Sequence, residues 1–111
     1  MPVVSKENGE HFAWGKGCNG WHLVEKPELS VIHECMPPGS SEEMHKHTQS
    51  RQFFFVLSGV LTIEQKDATH SITTGHGLEI PPNVEHETSN TGEQDVEFLV
   101  ISQPHSHGDR A

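Results

Sequence analysis

No stretch of this chain longer than about ten residues keeps a helical 3.6-residue apolar period without meeting glycine or proline. That punctuation constrains the fold more than any other feature. Between the breaks lie short apolar or alternating runs: Trp21 to Glu25, Leu29 to Met36, Gln52 to Leu57, Val60 to Gln65, Ser71 to Thr73, Leu78 to Ile80 and Val96 to Ser102. Such runs read as strands. The breaks themselves carry turn chemistry. Pro37-Pro38-Gly39 stops one run and Ser58-Gly59 joins two as a tight hairpin, while Pro81-Pro82-Asn83 and Asn90-Thr91-Gly92 punctuate the rest. Short strands at this spacing predict an all-β antiparallel sandwich or barrel.

A chain of 111 residues is long enough for one compact domain and too short for two of ordinary size, so a single domain over 1–111 is expected. The first ten residues and the tail from about Pro104 are polar and lack an apolar pattern, which marks them as peripheral. Sixteen acidic against seven basic residues give a net charge of -9, a field that repels a phosphate backbone and an anionic membrane surface. Nucleic acid and membrane are thereby excluded as expected partners. No basic segment precedes an apolar run, and no run approaches the roughly 20 apolar residues that span a bilayer, so a cytoplasmic location is expected. Cys18 and Cys35 form no Cys-x-x-Cys pair and read as reduced thiols.

The run Gln52 to Leu57 is apolar on both faces, with Phe53, Phe55 and Leu57 pointing one way and Phe54 and Val56 the other. A barrel buries only its inner face. The second face calls for extra N-terminal strands packed on it or for a partner subunit, and a homodimer is the economical expectation.

In an extended chain His45 and His47, two residues apart, project from the same face, where their ring nitrogens can converge on one ion. Taken alone, such a pair reads equally well as two exposed polar residues on a strand edge. Context decides otherwise: Gln52 follows after a polar link, and Pro81-Pro-Asn-Val-Glu-His86 delivers a third imidazole after a rigid bend.

These residues resemble the cupins. Gly39-x5-His45-x-His47-x4-Gln52-x6-Gly59 has the spacing of the first motif of that family, and Gly75-x5-Pro81-x-Asn83-x2-His86-x3-Asn90 that of the second. Two positions depart from the pattern. Asn83 stands where the family usually has glycine, a mild change because asparagine also tolerates the left-handed turn conformation. Gln52 stands where it usually has glutamate. The resemblance implies a single-domain, jelly-roll-like double-stranded β-helix that holds one divalent transition metal ion on His45, His47 and His86, with Gln52 as a fourth ligand or as a hydrogen-bonding neighbour. A neutral amide would leave the ion more electrophilic and favour an anionic bidentate substrate such as an enolate, a 2-oxo acid or a β-diketonate. Iron, nickel, copper, manganese and zinc all suit imidazole-rich sites.

Strand parity offers two faces for Ser30 to Met36: Val31, His33 and Cys35, or Ile32, Glu34 and Met36. The register of the family, counted back from Gly39, favours the second set inside, placing Glu34 near the metal as a general base. A solvent-facing Glu34 beside buried His33 and Cys35 stays open. The same counting has Ile32, Phe54, Val56, Phe98 and Val100 line an apolar substrate chamber. His11, His22, His70 and His76 lie in or beside turns and read as solvated, and His105 and His107 as at most a weak surface metal site.

The expected activity is that of a dioxygenase-like oxidoreductase acting on a small, oxygen-rich, chelating substrate. The alternatives are a non-redox lyase or isomerase in which Glu34 moves the proton, or a non-enzymatic small-molecule or metal-binding module, since fold alone does not settle function.

Overall fold

The computed structural model describes residues 2–110, so the two ends of the expected 1–111 domain lie outside the described residues. Nine strands follow one another: β1 (Glu10–Trp14), β2 (Cys18–Lys26), β3 (Leu29–Met36), β4 (Arg51–Ser58), β5 (Val60–Gln65), β6 (Ala68–Thr73), β7 (Gly77–Ile80), β8 (Glu87–Ser89) and β9 (Val96–Gln103). There is no helix among the described residues, and so none long and apolar enough to cross a membrane.

Six strands form one antiparallel sheet in the order β1-β2-β3-β9-β4-β7, and three form a second in the order β6-β5-β8. All seven expected runs are strands. β1 and β8 are additional: β1 is largely exposed, and β8 is three polar residues long, so neither carries an apolar period.

Register sorts the inward side chains of the large sheet into rows, because residues directly opposite on paired strands share a face. One row runs Ser30, Ser102, Gln52 and Ile80; the next runs His22, Ile32, Val100, Phe54 and Leu78; a third runs Phe12, Gly20, Glu34, Phe98 and Val56. Beyond them Met36 and Val96 pair at the closed end. Met36, Val56, Leu61, Ile63, Val96 and Phe98 are fully buried and form the core between the two sheets. Each such side chain contributes roughly 1.5–3 kcal/mol by leaving water.

The turns use the residues expected of them. Asn83 adopts φ 66, the left-handed conformation for which the family prefers glycine. At Gly59 φ is 85 and a Cβ would lie 2.6 Å from the Asp95 carbonyl oxygen, so the hairpin between β4 and β5 admits only glycine.

The N-terminal strands do not cover the second apolar face of β4; they extend the same sheet on the side away from it, beyond β3. Phe53 and Phe55 therefore stack on the outer surface with ring centroids 6.4 Å apart, and Phe53 and Leu57 are each 39% exposed. Cys18 and Cys35 are both free thiols.

Candidate metal centre and its cavity

His45 and His47 precede β4, whereas His86 precedes β8, so nothing local brings them together. What joins them is a two-residue ladder: the His45 N–H donates to the His86 carbonyl at 3.0 Å and the His86 N–H to the His45 carbonyl at 2.8 Å. Asn83 N–H bonds the His47 carbonyl at 2.7 Å and fixes the entry of the second segment. The three rings then cluster, with centroids 4.5 Å apart for His45 and His86, 4.9 Å for His45 and His47 and 5.8 Å for His47 and His86. Their candidate ligand atoms all lie within 4.8 Å of one another.

The surroundings prepare these rings to act as ligands. Nδ1 of His45 bonds the Glu43 carbonyl at 2.8 Å and Nδ1 of His86 the Val84 carbonyl at 3.0 Å. A carbonyl accepts only, so each Nδ1 carries the proton and each Nε2 keeps its lone pair. His86 Nε2 and His47 Nδ1 are buried with no hydrogen-bond partner among the described residues. Burial pulls the pKa of all three imidazoles down, and that of His47 falls to about 4 with help from its two neighbours. Neutral rings with unpartnered nitrogens are what a divalent ion requires.

Gln52 is 5% exposed and faces the same cavity. Its Nε2 donates to Ser102 Oγ at 3.1 Å and reaches Ser106 Oγ at 3.5 Å, while its Oε1 is buried without a partner. Holding the nitrogen fixes the amide and leaves the oxygen as a free donor atom. Phe54 packs edge-on against His86 with centroids 5.9 Å apart.

A cavity of about 1050 Å³ opens beside the histidines. Ile32, Phe54 and Val100 line it as expected, but Val56 and Phe98 do not. Both point inward, in the row that also holds Glu34, but at the β9–β4 end of that row they are fully buried in the core. Parity fixes the face of a residue but not whether the core covers it.

Glu34 lines the cavity, which settles the two faces of β3. His33 faces outward instead, with Nε2 2.8 Å from Glu97 Oε1 and its ring edge-on to Trp21. The Glu34 carboxyl is enclosed by protein except where its side chain meets the cavity. Burial, with a lesser push from the Glu42 charge, raises its pKa to about 8.

The segment after Pro104 is not peripheral. His105, Ser106, His107, Gly108 and Arg110 line the cavity. The Asp109 carboxylate accepts the N–H groups of Gln49 and Ser50 at 2.9 and 2.8 Å, bonds that hold its pKa below the usual range. Arg110 Nη2 donates to Glu42 Oε2 at 3.1 Å, and the other Glu42 oxygen lies 3.7 Å from His45 Nδ1. Hydrogen bonds, not apolar packing, hold this tail, and a polar sequence without period gives no sign of them. His105 and His107 gather no third ligand among the described residues. His22, expected to be solvated, is half-buried on β2 and faces the cavity.

Comparison with known proteins agrees with this geometry. Protein SchB of Streptomyces halstedii is 38% identical over 64 residues, 58% of this chain and 45% of that protein. The chain thus spans less than half the length of that relative. The oxalate-binding protein of Thermotoga maritima is 30% identical over 104 residues, 88% of this chain and 86% of that one. Among solved structures the polyketide cyclase RemF of Streptomyces resistomycificus superposes with a TM-score of 0.83 at 18% identity, covering 95% of this chain and 80% of that one, a likeness of fold. The model of the cupin domain matches residues 32–102, which contain both histidine segments and four of the six strands of the large sheet in whole or part. With two antiparallel sheets closed as a double-stranded β-helix around a cluster of three histidines, this chain belongs to the cupin family.

Proposed function

We propose that this protein is a metal-dependent enzyme that moves a proton on a small, oxygen-rich carbonyl or enol substrate without a change in oxidation state. One observation carries the reading: the cavity lined by His45 and His47, whose cluster His86 completes, is also lined by Glu34, a carboxyl whose pKa burial raises to about 8. A divalent ion held by the three imidazoles supplies Lewis acidity at the substrate oxygens. Glu34 takes the proton from the carbon beside the carbonyl and returns it to a neighbouring atom. Gln52 presents Oε1 as a neutral contact, so the imidazoles and the amide leave the site net positive and suited to an enolate. Ile32, Phe54 and Val100 keep water from the reacting face. A relative named for oxalate and a structural neighbour named as a polyketide cyclase support an oxygen-rich ligand.

A second reading is oxygen-dependent cleavage, favoured by the neutral donor set of three imidazoles and one amide, which leaves room for a chelating substrate and dioxygen. Anaerobic exchange of deuterium into acetylacetone separates the two. The metal-loaded protein is expected to catalyse exchange without dioxygen, and Glu34→Gln to slow it by about 10²-fold or more. Exchange that is indifferent to Glu34→Gln, or a reaction that consumes dioxygen, refutes the proton-transfer reading. Metal analysis of the purified protein distinguishes iron, nickel, copper, manganese and zinc.

The same proposal assigns a second copy of this chain to the outward face of β4. Phe53, Phe55 and Leu57 form an apolar strip there that a homodimer would bury.

A further inference from the structure

We propose that the end of the cavity bounded by β1 and β2 is a second polar subsite, built from His22 and Glu25, which binds a hydroxyl group at the far end of an elongated, largely apolar ligand. Its near end lies at the histidine cluster, and for that end the inference rests on the metal-centre reading above.

Residues three apart on a regular strand face opposite ways. β2 is not regular: His22 pairs with Ile32, Val24 with Val31 and Glu25 with Ser30, so a bulge falls between His22 and Val24. It brings Glu25 onto the inward face that His22 already shares with Ile32, and both line the cavity. His22 Nε2 lies 3.7 Å from Glu25 Oε2, too far for a good hydrogen bond, so neither group satisfies the other. His22 Nδ1 is buried with no partner among the described residues. A proton there would face no acceptor, so the single proton of the neutral ring belongs on Nε2. The pair then offers an N–H donor beside a carboxylate acceptor. A hydroxyl is the group that accepts from one and donates to the other. A metal ion, which Glu10, His22 and Glu25 are close enough to share, would require the proton to move to the partnerless Nδ1.

The length of the ligand follows from the register. His22, Ile32, Val100 and Phe54 form one inward row across β2, β3, β9 and β4. Three interstrand spacings separate the ends of that row, about 14 Å along the sheet. Phe54 carries the edge contact to His86, so the row links the two polar ends, and Ile32 and Val100 give it an apolar middle. A volume of about 1050 Å³ far exceeds what a two-carbon chelator fills and matches pockets for drug-sized molecules. The ligand class is an elongated, largely apolar molecule with oxygens at both ends.

Three probes test this on the metal-loaded protein by calorimetry: catechol, alizarin, and flavopurpurin, which is alizarin with one further hydroxyl on the opposite ring. Flavopurpurin is expected to bind about 10-fold more tightly than alizarin, the effect of one satisfied polar group. Glu25→Leu, at an exposed position that does not hold the fold, should erase that preference, as should His22→Leu. His22→Gln, which keeps an N–H donor, should restore part of it. Equal affinities for alizarin and flavopurpurin in the wild type would overturn the subsite, as would a preference that survives Glu25→Leu. Catechol separates the two claims. If it binds while the preference is absent, the metal centre stands and the subsite falls; if it fails while the preference persists, the subsite stands and the metal-centre reading falls. A second bound metal ion removed by Glu25→Leu would overturn the subsite in favour of a cation site.

Discussion

Glu34 lets the chemistry of the cavity be read from stability alone. In the unfolded chain its carboxyl titrates at about 4.5, and in the fold at about 8. Between those values the folded state holds a proton that the unfolded state has released. Stability therefore falls as pH rises through that window, and is flat above it. At about 1.4 kcal/mol per decade the ceiling is about 5 kcal/mol, and contact with cavity water brings the expected loss nearer 2 kcal/mol. Glu34→Gln replaces the protonated carboxyl by an amide of the same shape that cannot ionise. Metal-free wild type and variant should have similar stability at about pH 5, and the variant should be more stable by about 2 kcal/mol at about pH 9. For a domain of this size that is a difference in Tm of roughly 9 °C. Thermal melts of both proteins across the range provide the assay, and the other titrating groups cancel because both proteins share them. Parallel curves with no growing gap would refute the enclosed, protonated Glu34.

Three further outcomes follow from the same geometry. Because burial depresses the three imidazoles, protons compete for them only at low pH, so bound metal should persist at about pH 6 and be lost as pH approaches 4, as followed by metal content after gel filtration. Gln52→Glu places a carboxylate at the unpartnered Oε1 position and should tighten divalent metal binding by about 10-fold or more in a chelator competition; weaker binding would place the amide oxygen away from the ion. The proposed dimer on the exposed strip is tested by light scattering: wild type should have the mass of two chains and Phe53→Lys that of one, without a lower Tm, while a monomeric wild type or an unchanged mass would refute the contact on β4.

What the sequence discloses depends on the kind of force that holds each part. Apolar burial leaves a period, so every strand from Trp21 to Ser102 except β8 is legible, and the spacing of His45, His47 and His86 foretells their clustering. Coverage by the core leaves none: alternation shows Val56 and Phe98 pointing inward but not that they are buried there instead of lining the cavity. Glu34 stayed ambiguous for a related reason, because parity yields two faces and only the pairing of β3 with β2 and β9 chooses between them. Glu25 shares the inward face with His22 only through a bulge, which is visible only as a break in register. The tail is held by Asp109, Arg110 and Ser50, polar contacts between residues some 60 apart in sequence that composition renders as loop.

That tail separates two properties which most barrels tie together. The floor of the cavity is also the core, so enlarging it there removes packing that the fold needs. The wall made by residues 105–110 rests on a handful of hydrogen bonds to the loop at 48–50 and to Glu42, and the core cluster includes none of it. Substitutions in these few residues can therefore reshape the binding space while the barrel keeps its stability, which makes the tail the place where new ligand preferences can be selected at least risk to folding.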